Sequence, residues 1–162
     1  MAVVGYYGAG SATLCEANFY CTGAATSTAC PANTSTRGAL GSSSSLACLS
    51  VAGYYGNGTA TLCEANFYCT GDTTRTACPP NTDSRGVLGS TSVSACLAVP
   101  GYYGIGSATI CDVDFYCLGG TNRIACPAGR STRGALGSTA LISCTCPDGA
   151  YILSESCVTC SY

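Results

Sequence analysis

The feature that most constrains this chain is a register of cysteines that repeats every 48 residues. Cys15, Cys21, Cys30 and Cys48 recur as Cys63, Cys69, Cys78 and Cys96, then as Cys111, Cys117, Cys126 and Cys144. Gly-Tyr-Tyr-Gly runs starting at Gly5, Gly53 and Gly101 keep the same step, and the first two copies agree at 34 of 48 positions without insertion or deletion. Self-similarity at a fixed period of this size marks tandem units, each too small to bury a face alone. With 15 Cys in 162 residues, covalent staples take the place of an oily core.

The fold class that follows is small and disulfide-rich, mostly irregular with short β-strands, in a linear array of three 48-residue modules plus a partial fourth. Repeat 1 spans 1–52, repeat 2 spans 53–100, repeat 3 spans 101–145, and 146–162 is a partial or capping repeat. In that last segment Gly149-Ala150-Tyr151 stands where Gly-Tyr-Tyr is due, and the cysteine spacing changes to Cys146, Cys157 and Cys160. Frequent Gly and hydroxyl-rich runs such as Ser42 to Ser45 disfavour helix interiors. Short strands are expected at 12–15 and 46–49 and at their equivalents. Most aromatics sit in Gly-Tyr-Tyr and Phe-Tyr-Cys, which suggests small clusters of Tyr packed on disulfide.

Four cysteines per repeat allow three connectivities. Serial pairing keeps every module self-contained: Cys15 with Cys21, Cys30 with Cys48, Cys63 with Cys69, Cys78 with Cys96, Cys111 with Cys117, and Cys126 with Cys144. It extends to Cys146 with Cys157 and leaves Cys160 unpaired or intermolecular. Crossed and nested pairings stay open at this level. A metal site is disfavoured: Cys157-x-x-Cys160 has no second pair at zinc spacing and there is no His.

Composition excludes several functions. Without His there is no imidazole base or triad, so the chain is expected to be no enzyme, with no catalytic residue, metal or cofactor. Six Arg against eight carboxylates cannot form the basic stripe that nucleic acid needs. No apolar run is long enough to span a membrane. No signal-peptide pattern precedes the first repeat, so the sequence reads as a mature chain or a fragment. Arg37, Arg85 and Arg133 recur in register, as do Glu16, Glu64 and Asp112. One ion pair per repeat between these two sets is therefore expected. Asp112 and Asp114 are two carboxylates on one loop, short of a Ca²⁺ ligand set. Asn33-Thr-Ser and Asn57-Gly-Thr are glycosylation sequons, so covalent glycans at Asn33 and Asn57 are expected in a secreted chain.

Cys-x5-Cys with Phe-Tyr inside, then Cys30-Pro-Ala-Asn-Thr34 or Cys126-Pro-Ala-Gly129, then Gly-x-x-Ser leading to Cys, resembles ephrin-receptor-like cysteine-rich repeats. These modules are related in style to growth-factor-receptor cysteine-rich rods. The tail Cys146-Pro-Asp-Gly-Ala-Tyr151 fits that pattern, and the Gly-Tyr-Tyr-Gly variant is similar to repeats in large surface proteins of algae and other protists. The resemblance implies spacers, stalks or fibre-forming segments and brings no ligand residues. The resulting expectation is an extracellular or cell-surface structural protein that forms a fibre, flagellar hair or surface coat. Head-to-tail stacking of near-identical modules would self-associate into a filament, because such a contact does not close. The alternative is a receptor-type or adhesive ectodomain rod that binds a protein or glycan.

Overall fold

The computed structural model describes residues 2–153 and 156–160. Strands are two residues long in the repeats and pair as antiparallel twos, with a few isolated bridges beside them, among them a parallel one between Tyr55 and Asp72. In repeat 1, Tyr6–Tyr7 pairs with Thr13–Leu14, Phe19–Tyr20 with Thr28–Ala29, and Thr34–Ser35 with Leu49–Ser50. All three pairs recur in repeat 2, and the first two recur in repeat 3. The third is reduced there to a single bridge between Ser131 and Thr145. The tail forms a longer hairpin, Ala150–Leu153 with Ser156–Thr159.

The strands stop so soon because left-handed residues interrupt them. Asn18, Asn66 and Asp114 have φ of 66°, 67° and 63° inside the Cys-x5-Cys loop. Asn and Asp tolerate this region better than other non-glycine residues. Arg37, Arg85 and Arg133 share φ of 52°, and a side-chain oxygen two residues back, on Ser35, Asp83 or Ser131, accepts the N–H of each. The strand expected at 12–15 is present as Thr13–Leu14. The one expected at 46–49 is not: Ser45–Ala47 makes a single 3-10 turn, and extended pairing starts only at Leu49. The hydroxyl run before it favours a turn over a ladder.

Two compact units result, 1–77 with 86–92 and 78–85 with 93–162. In each, sulfur forms the interior. Among the described residues the buried apolar ones are ten half-cystines and Ala98, while Leu and Val side chains such as Leu40, Leu46 and Val87 stay exposed. Buried hydroxyls fasten the loops to these cystines. Thr36 Oγ1 accepts the Asn18 N–H at 2.8 Å and donates to the Ala39 carbonyl at 3.0 Å. Thr132 does the same with Asp114 and Ala135, both at 2.9 Å.

Candidate functional site

The disulfides are Cys15–Cys21, Cys30–Cys48 and Cys63–Cys69 in the first unit. The second unit holds Cys78–Cys96, Cys111–Cys117, Cys126–Cys144 and Cys146–Cys157. Cα separations of 5.6 to 5.9 Å lie in the normal range for a cystine. Cys160 is exposed and carries a free thiol. Seven bridges indicate folding in an oxidising compartment. No helix among the described residues is long and apolar enough to cross a membrane. Asn33 and Asn57 are both exposed. Asn33 is left-handed, with φ of 60°, in the turn after Pro31, and Asn57 lies at the junction of repeats 1 and 2.

The charge pairing differs from the expectation. Glu64 pairs with Arg75, not Arg85, and Asp112 with Arg123, not Arg133. Each of these arginines also lies between two rings. The Arg75 guanidinium carbon is 4.3 Å from the centroid of Phe67 and 5.5 Å from that of Tyr55. Arg123 repeats this at 4.3 Å from Phe115 and 5.6 Å from Tyr103. Repeat 1 has Ser27 at that position, which makes Arg75 and Arg123 look like drift when the copies are aligned. Their spacing of eleven residues after the carboxylate was the available signal. Arg133 instead serves the tail: Nη2 donates to the Cys146 carbonyl at 2.7 Å and pairs with Asp148 Oδ1 at 2.8 Å. Asp114 Oδ1 accepts the Thr132 N–H at 3.2 Å, and Asp112 is held by Arg123. The aromatic pairs are half-buried clamps for arginine, while the cystines form the interior.

The fold also builds the same junction between successive modules twice. In the first unit the Ser50 N–H donates to the Gly56 carbonyl at 3.2 Å, the Gly58 N–H to Cys48 at 2.9 Å, and Leu49 bridges Asn57. In the second unit the Ala98 N–H donates to Gly104 at 3.1 Å, the Gly106 N–H to Cys96 at 2.8 Å, and Leu97 bridges Ile105. The end strand of one module thus gains a second neighbour from the next. The residue at its centre is small and buried each time, with Ser50 at 1% and Ala98 at 0% exposure. Cys146 takes this position at the third repeat end. Beside it lies a groove of about 650 Å³, lined in part by Leu141, Thr145, Arg130 and Tyr151. No protein-family model matches the chain, and no curated protein does.

Proposed function

We propose that this is an extracellular structural repeat protein that builds a fibre, flagellar hair or surface coat by head-to-tail stacking of disulfide-stapled modules. We also place it among ephrin-receptor-like cysteine-rich repeats, on its Cys-Pro-Ala and Phe-Tyr-Cys motifs. The observation that carries the reading is the junction, made twice from the same two backbone hydrogen bonds with different side chains at Asn57 and Ile105. A contact written in the backbone tolerates sequence drift, and a contact between unlike faces of one module type propagates into a filament wherever its rotation does not close a ring. The low charge, 9% of residues, leaves little electrostatic repulsion between copies. Glycans at Asn33 and Asn57 would keep the lateral surface soluble.

Sedimentation velocity and negative-stain imaging of the oxidised native chain test this. Concentration-dependent growth into linear species is expected. A single-chain species at every concentration, with no elongated particles, would rule it out. Deglycosylation should lower the intact mass, and a mass equal to the bare chain would remove the glycan part.

A further inference from the structure

The chain reaches the end of a repeat three times, and its own next segment fills two of those ends. Gly56-Asn57-Gly58 folds back on Cys48 to Ser50, and Gly104-Ile105-Gly106 on Cys96 to Ala98. In both cases the second glycine sits against the start of the 3-10 turn. A Cβ on Gly58 would stand 3.3 Å from Ser45 Oγ, and one on Gly106 would stand 3.3 Å from the Val93 side chain.

The third end, Cys144-Thr145-Cys146, lacks this cover for a reason visible in the backbone. Gly56 and Gly104 have φ of 119° and 133°, and a Cβ on either would fall 2.5 or 2.3 Å from a carbonyl oxygen. Ile152 occupies that position in the tail, and a β-branched residue cannot turn there. Ala150–Leu153 runs on as a strand of the tail hairpin instead. The Cys144 carbonyl and the Cys146 N–H are left without a backbone partner among the described residues. The groove of about 650 Å³ opens at this place, with Leu141 at the position of Ser45 and Val93.

A matching turn is unused in repeat 1. The Gly8 carbonyl and the Gly10 N–H have no partner among the described residues. A Cβ on Gly10 would meet nothing within 4 Å, and Gly10 lacks the left-handed φ of 69° and 67° that the seated Gly58 and Gly106 adopt. The charges complement one another as well. Arg130 lines the groove with its Nε buried and without a hydrogen-bond partner among the described residues, while Glu16 has Ser27 where Glu64 and Asp112 have an arginine. The equivalent of Glu16 in repeat 3, Asp112, accepts a hydrogen bond from Tyr103, the residue that precedes Gly104.

We propose that this groove is the docking site for the Gly8-Ala9-Gly10 turn of a second copy of the chain. Cys146 N–H would donate to the Gly8 carbonyl and Gly10 N–H to the Cys144 carbonyl, as in the two internal junctions. The inference rests on the self-assembly reading above and names its contact.

The test uses the full oxidised chain with Cys160→Ser, so that thiol exchange contributes nothing. Gly10→Trp blocks the turn and Leu141→Trp blocks the groove. Both positions face open space, since Leu141 is 44% exposed, and intact mass checks that all seven bridges form. Each variant alone should sediment as a single chain at concentrations where the parent associates. An equimolar mixture should form pairs and nothing longer, because it contains one intact turn and one intact groove. A parent that associates while either variant associates equally well overturns the docking site and leaves the assembly reading standing, and so does a mixture that forms no pairs. A parent that never associates overturns both.

Discussion

Arg75 and Arg123 show how much one side chain adds to a module this small. Each joins a carboxylate to two rings at the surface, where an exposed ion pair is worth about 0–1 kcal/mol and a cation–π contact about 0.5–1 kcal/mol. Repeat 1 keeps Tyr7, Phe19 and Glu16 but has Ser27. Ser27→Arg should therefore stabilise the first unit by about 1 kcal/mol, read as a rise in thermal midpoint that shrinks in high salt. An unchanged midpoint would mean that the rings do not clamp the cation. Glycine offers a second contrast. Gly38 and Gly71 have φ of 81° and 84°, but a Cβ on Gly38 meets nothing, whereas on Gly71 it would stand 2.5 Å from the Ala52 nitrogen. Gly38→Ala should cost about 1–2 kcal/mol for the left-handed backbone alone. Gly71→Ala should cost about 2–5 kcal/mol, because backbone atoms cannot step aside. Denaturant melts of the two oxidised variants check the difference.

At the level of elements, the two-residue strands have no independent stability, since even a longer isolated hairpin is marginal in water. They persist because a cystine or a junction closes each one. Ser50 lies at such a closure, with its hydroxyl donating to the Gly56 carbonyl at 3.0 Å beside the backbone bond. Ala98 makes the same junction without a hydroxyl, so Ser50→Ala should cost about 1 kcal/mol or less. Ser50→Leu adds volume at a fully buried point and should cost about 1–3 kcal/mol, separating the two modules it joins. Hydrogen exchange at Gly58 reports this directly: fast exchange is expected in the leucine variant and protection in the alanine one. The Cys register and the Gly-Tyr-Tyr step were legible in the sequence because they are periodic. The 3-10 turn at Ser45–Ala47 was not, because Leu46-Ala47-Cys48-Leu49 has strand-like residues and only the preceding hydroxyl run hints at a turn.

For the whole molecule, stability lies in sulfur. Bridges of this kind contribute about 2–4 kcal/mol each, and little apolar surface other than cystine is buried. Full reduction and alkylation should abolish folded structure, seen as loss of tyrosine near-ultraviolet dichroism. Retained dichroism would point to a core of another kind. Limited reductant should act in an order set by access. Cys30, Cys78, Cys126 and Cys157 are half-buried, whereas both sulfurs of the three short loops are buried. The long-loop and tail bridges should open first and Cys15–Cys21, Cys63–Cys69 and Cys111–Cys117 last, mapped by mass after trapping. Before any reductant is added, one thiol per chain should react, from Cys160.

The sequence by itself determined the module length, the disulfide-rich class and the scarcity of helix, because cysteine spacing, glycine and hydroxyl runs act locally and repeat. Only the tertiary structure decided which arginine meets which carboxylate, and that a Gly-x-Gly turn from one module closes the end strand of the one before. Those outcomes depend on residues brought together from different loops, and on backbone groups whose partners no residue identity discloses. Ile152 shows the difference. In the sequence it is one more departure in a drifting tail, while in the fold it is the missing glycine that leaves a repeat end open.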